Sequence, residues 1–214
     1  LEFRRVLFRS DQGWRGNNQF WLIFQANESD RGGEHDGGTS PETGEPYANP
    51  VISNATFAGI DGAGTRTITF RDNAGGQYYN SIFLDYDNGV DVENLPPSDP
   101  DNGMIEDSHE QLVAGNLIFA NNIMFNIDSE PFLPSDDSDA DALMQVRDHF
   151  NDNGNIDDDM NAPVDGSFRP VGNATSTPRT DMEAIDGFFE NVNYKGGVNA
   201  TGDLWIAGCT RLSA

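Results

Sequence analysis

A single cysteine, Cys209, leaves this 214-residue chain with no internal disulfide. No Cys-His motif surrounds it and nothing beside it signals an activated thiolate, so it reads as an incidental thiol. Basic residues are also scarce: 12 Lys and Arg stand against 36 Asp and Glu, a formal net charge of −24. That balance excludes nucleic acid as a partner, because phosphate binding needs clustered Lys and Arg. It suits a solvated acidic exterior, or a setting rich in salt or divalent cations. No apolar run approaches the roughly 18 residues of a membrane span, so no transmembrane segment is expected, and no signal peptide can be recognised. Hydrophobic content is only 36%, while Gly is abundant at 23 residues, a composition for many short strands joined by turns.

Within that composition three segments repeat a pattern: Ile52-Ser53-Asn54-Ala55-Thr56-Phe57, Tyr78-Tyr79-Asn80-Ser81-Ile82-Phe83 and Ala120-Asn121-Asn122-Ile123-Met124-Phe125. Each carries Asn with Phe three residues later inside a β-prone run. The pattern asparagines Asn54, Asn80 and Asn122 are spaced by 26 and then 42 residues. Asn18-Gln19-Phe20-Trp21 is a fourth candidate. One strand-like core per unit at this period predicts a β-solenoid. Asn tolerates the left-handed backbone region at a corner, and amides on stacked coils can bond one another in a ladder. The competing arrangement is a set of independent hairpins with Asn in ordinary turns.

Along the chain, residues 19–25 are apolar on both faces, as a buried strand requires. Residues 27–49 read as a polar loop and 93–103 as an acidic, Pro-rich one. Strands are expected over 50–60, 65–70 and 77–86, with one or two more over 111–127. An acidic linker follows from about residue 129. Ser138 reads as an N-cap with Asp141 three residues on, opening one short helix through Phe150 that stops at Gly154. Residues 166–214 read as irregular chain that packs on a coil end as a cap. The first ten residues, Leu1 to Ser10, differ sharply in composition and read as translated sequencing-adapter sequence, an artefact ahead of a truncated protein. The expected domains are thus 1–10 artefact, 11–128 solenoid coils, and 129–214 linker, helix and capping region.

The segments Gly13-Trp14-Arg15-Gly16-Asn17-Asn18-Gln19-Phe20-Trp21 and Thr69 to Phe83, with the closing stretches Gly187-Phe188-Phe189-Glu190, Asn193-Tyr194-Lys195-Gly196 and Asp203 to Gly208, carry a resemblance. Over residues 11–214 the chain resembles the C-terminal portion of large secreted bacterial parallel β-helix proteins, most of them uncharacterised and many metagenomic. The group usually has Trp where this chain has Cys209. The resemblance implies an all-β, right-handed parallel β-helix fragment with long acidic loops, one short helix and an irregular C-terminal cap. It implies a secreted or cell-surface location and transfers no catalytic residue.

No residue is assigned a catalytic, cofactor-binding or metal-binding role, but several sets were weighed. Asp136, Asp137, Asp139 and Asp141, and Asp152 to Asp159 with Asn153 and Asn155, offer the alternating oxygens that Ca²⁺ takes. Gly154 falls out of place for an EF-hand, and a solvated loop explains the run as well. Asp85, Asp87 and Asp91 are the best carboxylate trio for glycoside chemistry, with Arg66 and Arg71 available to meet a uronate. Strand-end salt bridges explain the same residues. His35, His109 and His149 read as surface histidines. Trp14, Trp21 or Tyr47 could stack on a sugar. Asn27, Asn54, Asn173 and Asn199 match the glycosylation pattern, which is accidental in a bacterial protein. The expected function is a non-catalytic extracellular or cell-surface solenoid with a structural or adhesive role, whose partners are extracellular glycan or cell-envelope components. The alternatives are part of a polysaccharide-active lyase or hydrolase, or a glycan-binding module.

Overall fold

A computed structural model describes residues 9–10, 13–25, 29–38, 45–95 and 107–207. Residues 1–8 and Cys209 lie outside the described residues. The strands are β1 (Arg9–Ser10), β2 (Asn17–Phe24), β3 (Arg31–Asp36), β4 (Val51–Ala58), β5 (Arg66–Arg71), β6 (Gly76–Tyr79), β7 (Ile82–Tyr86), β8 (Val90–Val92), β9 (Leu117–Ala120), β10 (Ile123–Ile127), β11 (Phe132–Pro134) and β12 (Ile156–Asp157). The helices are α1 (Ser108–Val113), α2 (Ala140–Asp152) and α3 (Asn173–Ser176). Every pairing between named strands is parallel. β1, β3, β5, β8 and β11 form one sheet of five strands. β2, β4, β6 with β7, β9 with β10, and β12 form the second, in which a bend splits two coils into paired short strands. The chain is therefore an all-β parallel β-helix, with the core between the two sheets.

The Asn-Phe ladder is real, with one shift of register. Phe57 pairs with Phe83, and Phe83 with Met124 rather than Phe125. Extending that register places Asn54, Asn80 and Asn121 in one column, all left-handed, with φ of 50°, 53° and 55°. Gly154 (φ 68°) continues the column beyond Asn121, and Phe20 (φ 61°) precedes Asn54. Asn122, read as the third rung, stands one place on in the coil. The doublet Asn121-Asn122 conceals which amide turns the corner. Met124 accordingly points into the core, and Phe125 packs outward beside Phe24 and Phe168.

Asn122 belongs to a second, interior ladder. Ser81 Oγ accepts from the Ala55 amide at 3.0 Å, and Asn122 Oδ1 accepts from the Ser81 amide at 2.9 Å. Asn155 Oδ1 in turn accepts from the Asn122 amide at 2.9 Å, and Asn122 Nδ2 donates to the Tyr78 carbonyl. Each coil thus uses a side chain to satisfy a backbone N–H that the corner leaves unpaired. Asn122→Ala should destabilise the fold by about 2–3 kcal/mol, because a fully buried N–H loses its acceptor. Urea unfolding measures this; an unchanged midpoint would mean that water takes over the bond.

Aromatic rings fill the interior. Phe57 stacks on Phe83 at 5.0 Å, Phe83 meets Phe119 at 5.2 Å, and Phe119 meets Phe132 at 5.2 Å. Helix α2 lies over the end of this column, inserting Val146 and Phe150 against β9 and β11. Its N-cap is Asp139, whose carboxylate accepts from the amides of Asp141 and Ala142, while Ser138 bonds Asp136 instead. Asp is as good a cap as Ser, and the adjacent pair left the choice open.

The C-terminal region caps the side of the helix rather than a coil end. Residues from about 163 run across the outer face of the seven-stranded sheet. Ala174 packs on Ile82 and Leu84, and Met182 and Phe189 pack on Tyr79 and Ala120. The outward amides hold it. Gln19 exchanges two bonds with the Glu190 backbone, Asn54 donates to the Tyr194 carbonyl, and Asn80 exchanges two with the Thr180 backbone. Asn121 Nδ2 donates to Thr180 Oγ1. Gly197 passes so close to β2 that an added Cβ would lie 1.8 Å from the Trp21 carbonyl oxygen, so only glycine fits there.

Candidate functional site

Among the described residues, the other sheet carries most of the charged side chains that pair with one another. Along a strand, alternate residues face out, and the register aligns Glu34 with Thr69 and Thr69 with Asp91 on the outer face. Asp36 aligns with Arg71 beside them. Arg71 Nε donates to Asp36 at 2.7 Å, and its Nη2 lies 3.3 Å from Glu34. Arg31 reaches Glu34 at 2.8 Å and Asp30 at 3.1 Å, and Arg66 lies 3.5 Å from Asp91. Two carboxylates in β3, Glu34 and Asp36, are buried beneath these guanidiniums. Asp36 raises the Arg71 pKa through their hydrogen bond, against the opposing effect of burial. Asp91 behaves differently: burial raises its pKa, against the pull of Arg66 and Arg31. The result is a polar face whose arginines are held by neighbouring carboxylates.

Strand β3 was not legible: Arg31-Gly32-Gly33-Glu34-His35-Asp36 sits inside the stretch read as a polar loop. Its glycines admit close neighbours, and a Cβ on Gly32 would lie 2.5 Å from the Tyr86 hydroxyl. His35 corrects the expectation of surface histidines. It is fully buried, stacks on Phe70 at 4.7 Å, and bonds the Tyr78 hydroxyl through Nε2 at 2.7 Å. His149 is also largely enclosed, with its pKa lowered by burial, and its Nε2 accepts from the Phe119 amide at 3.0 Å. That bond occupies the lone pair a general base would need. His149 lines a cleft of about 330 Å³ between α1 and α2, with Leu112, Gln145, Asp148 and Asp152. A second cleft, about 240 Å³, lies on the other side of α2 between Glu130, Arg147, Phe150 and Asp157.

The carboxylate trio is dispersed among separate tasks. Asp85 accepts from Asn126, Asp87 accepts from the amides of Gly64 and Thr65, and Asp91 faces Arg66. The acidic runs are likewise spent locally. Asp139 caps α2, Asp158 ties the 158–161 turn and Asn173, and Asp159 accepts from the Asn126 amide. Among the described residues, no group of three or more His, Cys, Asp and Glu side chains could hold a metal ion. Trp21 packs against the core and Tyr47 is half-buried, while Trp14 stands at the border of exposure, so the three make no exposed row. Asn54 is buried and its amide is occupied, which closes it to glycosylation.

Two parallel sheets with turns held by side-chain ladders define the class: a parallel β-helix with one charge-bearing outer face. The chain belongs to the pectate-lyase-like β-helix domain family, whose model matches residues 7–162. No curated protein and no solved structure matches it. The family match corrects the resemblance described above. The matched segment is the bulk of the chain, not a C-terminal portion running over 11–214. It takes in the coils and α2, and leaves out the closing stretches at 187–208 on which that resemblance partly rested. It also begins within the first ten residues, where Arg9 and Ser10 pair in parallel with Glu34 and His35. No described helix is long and apolar enough to cross a membrane.

Proposed function

We propose that the chain is a non-catalytic β-helix of the cell exterior with a structural or adhesive role, its charged face meeting extracellular glycan or envelope polymer. The observation that supports this most is the mutual pairing of Arg31, Arg66 and Arg71 with Glu34, Asp36 and Asp91. A basic residue acting on a uronate must be free to leave its carboxylate partner, and these are held by theirs. The two clefts flank α2, and none of these six residues lines either of them.

One observation favours the second reading, a polysaccharide lyase or hydrolase. Asp91 is a mostly buried carboxyl with a raised pKa, as a general acid requires. Glu34 occupies the same outer column two strands away, about 10 Å between Cα atoms at ordinary strand spacing. Product release from neutral and acidic polysaccharides, with and without Ca²⁺, separates the two. The expected result is no turnover by the chain and none by Asp91→Asn. Turnover by the unaltered chain that Asp91→Asn abolishes, with the fold intact, would overturn the non-catalytic reading.

A further inference from the structure

Lys195 is the chain's only lysine, and no part of it is exposed to solvent. Its backbone is clamped between the C-terminal segment and the seven-stranded sheet. The Lys195 amide donates to the Ala174 carbonyl, and the next amide, Gly196, donates to the Asn80 carbonyl, both at 2.8 Å. The side chain therefore cannot swing out without detaching this segment. Among the described residues its ammonium makes no hydrogen bond and no ion pair. A buried ammonium normally holds its charge only when paired. The charged group that acts on Lys195 is another cation, Arg179. In a chain with three acidic residues for every basic one, both cations anchor on the 174–177 stretch, Lys195 through its amide on Ala174 and Arg179 through its guanidinium on Thr175 and Thr177.

Arg179 is half-buried, and its Nη1 donates to the carbonyls of Thr175 and Thr177 at the end of α3. Its Nε and Nη2 make no bond among the described residues. Burial and Arg179 together lower the Lys195 pKa to about 8, so at neutral pH the amine is still mostly charged. A charge that persists there calls for a counter-charge, and among the described residues no side chain supplies it.

We propose that Lys195 Nζ and the Arg179 guanidinium bracket a binding site for a small inorganic anion, chloride. Because Lys195 is fully buried, a single-atom anion is favoured over a carboxylate or phosphate carried on a larger ligand. The occupant ties residues 172–180 to residues 194–197, and so links salt to the seating of the segment that covers this sheet.

The test uses the whole chain at fixed ionic strength, replacing gluconate by chloride. The melting temperature should rise saturably, by roughly 5 °C at a hundredfold excess over Kd. With one lysine, the ¹⁵Nζ resonance of labelled protein is a single reporter, and it should shift over the same chloride range. Arg179→Gln should weaken the chloride effect several-fold, and Lys195→Met should abolish it while folding without chloride. A melting temperature and ¹⁵Nζ signal indifferent to chloride, or a chloride response retained in Lys195→Met, would overturn the proposal. A response to sulfate or phosphate with none to chloride would also overturn it.

Discussion

Acidification from pH 6.5 to pH 3 should cost the fold roughly 4–5 kcal/mol through His35 alone. The imidazole is fully buried in β3, stacked on Phe70 and bonded to Tyr78, and burial pushes its pKa down to about 3. The Tyr78 phenol is itself pushed well above its ordinary range by burial, so the pair is neutral. Unfolding returns His35 to its usual value of 6.5. Between these values the unfolded chain binds a proton that the folded chain refuses, and stability therefore rises with pH across this window. The contribution is complete above pH 6.5 and is lost as pH falls toward 3. Strand neighbours Glu34 and Asp36 face the other side of the sheet, and they, like the remaining carboxylates, are common to wild type and variant. Urea unfolding of His35→Gln beside wild type at several pH values isolates the imidazole. The two curves should diverge steadily below pH 6; parallel curves would show that the ring accepts a proton in place.

The same histidine shows where reading the sequence stopped. Gly-Gly flanked by charges is the local signature of a turn, and nothing in Arg31 to Asp36 alternates as a half-buried strand should. What makes it β-structure is tertiary: β5 supplies backbone partners along its length, and Arg31 and Arg71 neutralise the carboxylates it buries. Local propensity cannot report such pairing. The ladder at Asn54 and Asn80 was legible because a corner that needs φ > 0 admits few residues, and Asn is one of them. The column was lost where Phe20 and Gly154 take the same conformation. The outer face was half legible. Arg66, Arg71 and Asp91 could be picked out as candidates, but their partners Glu34 and Asp36 lay in the stretch taken for a loop. The C-terminal segment was legible only as irregular chain. Its seat depends on amides of Gln19, Asn54, Asn80 and Asn121, scattered over more than a hundred residues of sequence.

The three asparagines among them do two jobs at once, and substitutions at Asn80 separate these. Asn80 is buried, takes φ of 53°, and exchanges two hydrogen bonds with the Thr180 backbone, at 3.0 Å from Nδ2 and 2.8 Å to Oδ1. Asn80→Ala forfeits both the bonds and the ease of the left-handed backbone. It should destabilise the chain by about 3–5 kcal/mol, from roughly 1–2 for the backbone and about 1–1.5 for each of the two polar groups left unpaired beneath the segment. Asn80→Gly keeps the corner relaxed and loses only the bonds to Thr180. It should therefore recover most of the backbone cost, with the coils still stacked, while the segment at 177–195 loosens. Limited proteolysis reads the segment and circular dichroism reads the coils. In Asn80→Gly, cleavage should concentrate near Thr180 while the β signal persists to nearly the wild-type melting temperature. In Asn80→Ala both should fail together at a lower temperature. If both variants melted as one unit at the same point, the corner and the cover would be a single cooperative structure, and the side chain's grip on Thr180 would carry the whole effect.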